Sequence, residues 1–298
     1  MNKNVALVLS GGGARGIAHI GVIEVLEENG YQITSVAGTS MGAFVGAVYS
    51  TGKLTEFKNW LINIDKLEIV KLIDFSFSTL GFIKGDRLFT ELKKFIPDTN
   101  IEDLPISFKA VATDIMNRRE IVFEQGPIFD AVRASISIPS VFAPVKTDAT
   151  MLVDGGMVNN LPIDRVERNE GDILVAVDVV ANVPYYENVA LDEEKHKGKI
   201  ERFKNYFDDK KAKNISTKIN NFEVLDKSIN LMIEQLVKAK VKEYQPDIFI
   251  QVSQDASGLF DFFKAEHIVN IGRKIAQEQL DSFLTQNKSS EKIIKQNN

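Results

Sequence analysis

Along the first fifty positions the spacing of apolar residues changes period twice. Residues 5–9 form an unbroken apolar run, as in a strand covered on both faces; from Ile17 the apolar positions Ile17, Ile20, Ile23 and Leu26 recur at helical spacing. Asn29-Gly30 ends that helix, because glycine takes the left-handed C-terminal cap without steric cost. A second strand, "YQITSVA", runs into Gly38-Thr39-Ser40-Met41-Gly42, and the small-residue helix "AFVGAVYSTG" that follows stops at Gly52. Further strand-like runs stand at residues 110–112, 121–123, 151–153, 173–180 and 248–252, separated by helical patterns. This alternation predicts an α/β fold with a largely parallel sheet. Residues 227–244 place Ile229, Met232, Ile233 and Leu236 on one face of a core-covering helix, and no segment of the chain repeats.

The turn after the first strand, SGGGARG, has Gly11, Gly13 and Gly16 in the G-x-G-x-x-G spacing of a dinucleotide-binding loop. That use requires an acidic residue at the end of the second strand, and residues 31–42 contain none. A G-K-[ST] is also missing, which excludes a phosphate-binding loop of that type. What ends the second strand is G-x-S-x-G in a strand-turn-helix setting, the context of a nucleophile elbow. Gly38 and Gly42 clear space around an exposed Ser40, the candidate nucleophile. The glycine loop then gains a purpose: N–H groups of Gly11, Gly12, Gly13 and Ala14, with that of Met41 at its helix start, can point at an oxyanion. Gly16 serves the turn, and Arg15 either adds positive charge or anchors the loop. The plainer reading of the loop is close helix-strand packing with a solvated Arg15.

A serine nucleophile needs a base. His19, His196 and His267 are the three histidines, and none carries a local catalytic context. Asp154 does: residues 151–153 deliver it into the turn Gly155-Gly156 at a strand end. By itself this is an ordinary Asp-Gly turn; beside Ser40 and the glycine loop it is a candidate general base.

GGGARG, GTSMG and DGG, in this order and with "RASISIPSVFAPV" and "DGGMVNNLP", resemble the patatin-like phospholipase family of bacterial acyl hydrolases, densely over residues 5–178 and thinly beyond. The resemblance implies a three-layer α/β/α sandwich and a Ser-Asp dyad without histidine, with Ser40 the nucleophile and Asp154 the base. It also implies a lipid or other ester substrate, no cofactor and no metal.

The 298 residues, 44% of them hydrophobic, suffice for one large domain, expected to span residues 1–285 with a disordered tail from 286 to 298. A net charge of −5 and zero cysteines give no sign of a nucleic-acid partner, a disulfide framework or a thiol nucleophile. The apolar run at the N-terminus is too short for a signal peptide, and Gly38, Ser40 and Gly42 interrupt the uncharged stretch 31–52; the expectation is a cytoplasmic protein. Two stretches are candidate insertions controlling access to Ser40. Residues 61–85 are apolar without clean periodicity, as in a lid or a buried helix pair. Residues 189–215 enclose a run, 195–213, with eight basic side chains against Glu201, Asp208 and Asp209, read as a solvated loop or a peripheral membrane contact. The sequence leaves the oligomeric state open. Lipid ester hydrolysis is the favoured function; an acyltransferase or thioesterase with the same nucleophile, and a non-catalytic lipid-binding protein, are the alternatives.

Overall fold

Residue alternation on the central strands divides the interior in two. In β1 (Asn4–Leu9), Val5, Leu7 and Leu9 join the larger apolar core, whereas Ala6 and Val8 join a smaller one on the opposite face. The strand Ile173–Ala181 repeats this, with Ile173, Val175 and Val177 on the first side and Leu174 and Ala176 on the second. Strands so covered must be apolar throughout, which is why they read in sequence as continuous runs. Burying each leucine or valine stabilises the fold by roughly 1.5–3 kcal/mol.

The protein is seen here as a computed structural model that describes residues 3–73, 86–139, 141–185 and 221–296. His196, the basic run 195–213 and the second half of the apolar stretch, 74–85, lie outside the described residues. The remaining strands are β2 (Gln32–Thr39), β3 (Ser107–Asp114), β4 (Arg119–Phe123), β5 (Val145–Lys146) and β6 (Met151–Asp154), with Ile173–Ala181 as β7 and Ile248–Ser253 as β8. Their order is β5-β6-β3-β2-β1-β7-β8, and β4 pairs with β3. From β3 to β8 the neighbours run parallel, while β4, β5 and β6 are antiparallel additions. The expected α/β architecture with a largely parallel central sheet is the observed one.

Helices α1 (Ala18–Glu28) and α2 (Met41–Ser50) lie on the larger core, as does the long C-terminal helix Ala265–Gln296. Between them in sequence come α3 (Leu54–Asn63), α4 (Lys66–Ile73), α5 (Asp86–Leu92), α6 (Ile128–Ser135) and α7 (Asn221–Tyr244); the C-terminal helix is α8. The opposite core is covered by α7 through Val237, with Ile233 and Val241 packed beside it. Ile229, Met232 and Leu236, expected to face inward, are instead 38, 58 and 41% exposed. The packed stripe 233-237-241, with Val237 buried and Ile233 and Val241 partly so, has the same helical period and is rotated around the axis, so periodicity alone could not select it. Residues 286–296, expected to lack regular structure, continue α8: no glycine or proline follows Gly272 to stop it.

The chain divides into two compact units, residues 1–185 with 233–298, and 186–232. The first contains the whole sheet. Of the second, the described residues hold only the beginning of α7.

β1 is the topological switch point: the chain moves from it through β2 to β3 on one side and later returns to β7 and β8 on the other. In open sheets of this kind, ligands bind beyond the carboxyl ends of the strands at the switch. The loops leaving β1 and β2 therefore stand where a site is expected.

Candidate active site

Ser40 occupies the single residue between β2 and α2, at φ 54° and ψ −123°. This conformation is sparsely populated for a residue with a Cβ and persists only where its surroundings over-determine it. Gly38 and Gly42 permit it. A Cβ on Gly38 would stand 2.6 Å from the Ala43 nitrogen, and one on Gly42 2.6 Å from the Ser10 carbonyl oxygen. The start of α2 thus lies directly against the ends of β1 and β2, with no room for a methyl group.

The register of β3 brings Asp154 to the same place. Thr39, the last residue of β2, pairs with Val111, and Asp154, the last of β6, pairs with Ala112. β4 holds the other edge of β3 at both positions, so β2 and β6 share one edge and meet end to end. A parallel and an antiparallel strand thereby deliver serine and aspartate to adjacent sites, 114 residues apart in sequence. Gly155 must follow Asp154 closely over the sheet: a Cβ there would lie 2.7 Å from the Val111 carbonyl carbon. On Gly156 it would lie 2.9 Å from Asn160 Oδ1, and on Gly16 it would lie 2.6 Å from the Met41 Cβ.

Asp154 is buried, 6% exposed, and burial pushes its carboxyl up to about 6; hydrogen bonding by the Ser40 side chain and by the Gly156 N–H, which donates at 2.8 Å, oppose that rise. Its backbone is fixed on both sides, the N–H donating to the Ser137 carbonyl at 3.0 Å and the carbonyl accepting the Thr113 hydroxyl at 3.0 Å. Such a carboxylate is ionised at neutral pH yet basic enough to take a proton in a transition state.

The glycine loop divides its donors. The Gly11 N–H donates to the Asn160 carbonyl at 3.2 Å and the Ala14 N–H to the Leu259 carbonyl at 2.9 Å, so these two, expected to face an oxyanion, are spent on holding the loop. Gly12, Gly13 and Met41 remain as the candidates. Arg15 anchors: its Nε donates to the Gly12 carbonyl at 3.2 Å and its Nη1 to the Gln254 carbonyl at 3.1 Å. Its charge also tempers Asp178, whose carboxyl burial raises to about 6 and which accepts the Val180 N–H at 3.0 Å.

The described histidines are engaged with other partners. His19 is fully buried, and its Nε2 pairs with the Ser10 carbonyl at 2.8 Å, which requires the ring to donate. Burial lowers its pKa to about 4, so it is a neutral anchor for the end of β1. His267 pairs with the Tyr185 hydroxyl at 3.1 Å. Among the described residues no group of three His, Cys, Asp or Glu side chains is arranged to hold a metal ion.

Sequence reasoning did not single out Ser135 or Asn160. Ser135 Oγ accepts the Ser40 N–H at 2.9 Å and donates to the Val111 carbonyl at 2.6 Å; Asn160 Nδ2 donates to the Gly11 carbonyl at 3.3 Å. Both stand inside the quoted motifs, but a serine or asparagine has no readable role until its partner backbone is known.

Beyond Ser40 an apolar pocket opens, walled by Phe44, Phe57, Trp60, Phe142, Leu259 and Phe260. Leu61, Ile64, Ile69 and Leu72, from the first half of the apolar stretch, also line it, and Ser40 is the only hydroxyl among the lining residues. The wall is braced by edge-to-face packing of Phe44 on Phe57 at 5.0 Å and of Phe57 on Phe95 at 5.3 Å.

The chain has relatives among known proteins. The chain is 30% identical to an uncharacterized NTE family protein of Mycobacterium tuberculosis, across 95% of this chain and 92% of that one. It is also 30% identical to lysophospholipase NTE1 of Coccidioides immitis, across 94% of this chain but only 18% of that much longer protein. VipD from Legionella pneumophila shares the fold, with a TM-score of 0.54 at 19% identity, covering 95% of this chain and 67% of that chain. The family model of the patatin-like phospholipases matches residues 7–166, from within β1 through the elbow and the acid loop, and the chain belongs to that family.

Proposed function

We propose that the protein hydrolyses a carboxylic ester of a lipid through an acyl-enzyme on Ser40, with Asp154 as general base. The observation that carries this reading is the apolar pocket lined by Ser40: an acyl chain laid along Phe44, Phe57 and Trp60 brings its carbonyl to the only hydroxyl among the described lining residues.

Ser40 Oγ bonds to the carbonyl carbon while its proton passes to Asp154. The carbonyl electron pair moves onto oxygen, which faces the Gly12, Gly13 and Met41 N–H groups; removing one such donor from an oxyanion hole typically costs about 3 kcal/mol. Collapse of the tetrahedral species expels the alcohol, which takes the proton back from Asp154. A water molecule then gives its proton to Asp154 and attacks the acyl-enzyme, releasing the fatty acid and restoring Ser40. A carboxyl near 6 suits both directions, because it stands close to the working pH.

The names of the lysophospholipase relatives favour a monoacyl phospholipid as the substrate. The test is labelling with a long-chain fluorophosphonate followed by peptide mass spectrometry. The adduct belongs on Ser40, and turnover of lysophospholipid belongs to the parent and not to Ser40→Ala. An adduct on another residue, with Ser40→Ala still active, removes the reading.

A further inference from the structure

The segment closing α6 reaches both members of the proposed dyad through their backbones. Ser135 Oγ accepts the Ser40 N–H at 2.9 Å, and two residues on the Ser137 carbonyl accepts the Asp154 N–H at 3.0 Å. The intervening Ile136 and the following Ile138 line the apolar pocket. The last residue of α6 and the turn after it thus touch nucleophile, base and pocket within four residues.

Within it the Ser135 hydroxyl has one available arrangement. Its proton goes to the Val111 carbonyl at 2.6 Å, so its lone pair must face the Ser40 N–H. Val111 is the β3 residue opposite Thr39, and its carbonyl also abuts the Gly155 turn. Ser135 is fully buried, so no water can replace it without the site opening. At its other end the Ser40 carbonyl accepts the Phe44 N–H of the helix at 3.0 Å. The strained φ of 54° therefore depends on Ser135 at its N–H side.

We propose that Ser135 is a positioning residue: its hydroxyl ties the Ser40 backbone to β3 and so sets the direction in which Ser40 Oγ is presented to Asp154 and to the acyl carbonyl. The proposal rests on Ser40 being the nucleophile. Ser135 is not among the residues lining the pocket, so it acts on the chemical step and leaves binding alone.

The experiment compares the parent with Ser135→Ala and Ser135→Thr on a soluble short-chain ester, reading kcat, KM, the rate of fluorophosphonate labelling and the melting temperature. Ser135→Ala is expected to lower kcat and the labelling rate together by about 10- to 100-fold, the range a displacement on the order of 1 Å produces, with KM unchanged. Ser135→Thr, which keeps the hydroxyl, is expected to recover most of both. If Ser135→Ala does not fold, Ser135→Cys fills the same volume with a weaker acceptor and carries the same test. A lowered melting temperature with kcat and labelling at the parent level, in either variant, makes Ser135 structural only and overturns the proposal. Failure of the parent to be labelled at Ser40 would instead sink the nucleophile assignment.

Discussion

Asn160 and Gly11 grip each other twice: the Gly11 N–H donates to the Asn160 carbonyl at 3.2 Å, and Asn160 Nδ2 donates to the Gly11 carbonyl at 3.3 Å. This pair joins the glycine loop after β1 to the acid loop after β6, and so ties the candidate oxyanion donors to the candidate base. The room it occupies is accounted for, since a Cβ on Gly11 would stand 2.6 Å from Asn160 Oδ1. Asn160→Ala removes one of the two bonds and leaves the buried Gly11 carbonyl unpaired. It should cost about 1–3 kcal/mol in denaturant unfolding and slow turnover as well. Turnover at the parent level with stability reduced would show that the grip serves the fold alone.

Ser40→Ala and Asp154→Asn should both lose ester hydrolysis and keep the fold, because the elbow is built by Gly38 and Gly42, and because an amide is nearly isosteric with a carboxylate but takes no proton. Hydrolysis by the parent should rise with pH through about 6, the range to which burial pushes Asp154, and level off above. A profile flat from pH 5 to 8 would exclude Asp154 as the base.

Stability should show the opposite slope. The carboxyl of Asp154 is near 6 when folded and 3.8 when free, so between these values the folded chain binds more protons than the unfolded one. Its contribution is complete below about pH 4 and is lost as pH rises through 6; buried Asp178, raised likewise to about 6, adds in the same sense. Asp154→Asn removes the ionisation, so the inactive variant should be more stable than the parent at pH 7.5, by up to about 3 kcal/mol, and the gap should close near pH 4. Thermal unfolding of both proteins across this range decides it.

Trp60 stacks on Phe57 at 5.9 Å and lies 5.2 Å from Phe95 in the pocket wall. Trp60→Ala should raise KM for a long-chain ester several-fold while leaving that for an acetate ester nearly unchanged, since only the long chain reaches this wall. Equal effects on both esters would place the acyl chain elsewhere.

No step of the proposed reaction calls on a metal, and among the described residues none is arranged to bind one. Hydrolysis of a soluble ester should therefore survive EDTA. Loss of activity in chelator, restored by calcium, would remove the mechanism.

The features legible in the chain before it folds are local ones. The strand-turn-helix around Ser40 was readable because apolar period and glycine placement are properties of neighbouring residues, and the same holds for the glycine loop and for Asp154 at a strand end. The order of the motifs also marked the family. Tertiary structure decided what depends on distant backbone. That β2 and β6 share one edge of β3, and so bring Thr39 and Asp154 opposite Val111 and Ala112, follows from strand register, which no short window of sequence contains. The division of the glycine loop was hidden for the same reason: the Gly11 and Ala14 N–H groups are taken by carbonyls of Asn160 and Leu259, far along the chain. Ser135 looks like any helix-end serine until the Ser40 N–H is placed against it. The face by which α7 packs was decided in the same way, because a helix carrying apolar residues on more than one side is turned by the surface that receives it, here Ala6, Val8, Leu174 and Ala176.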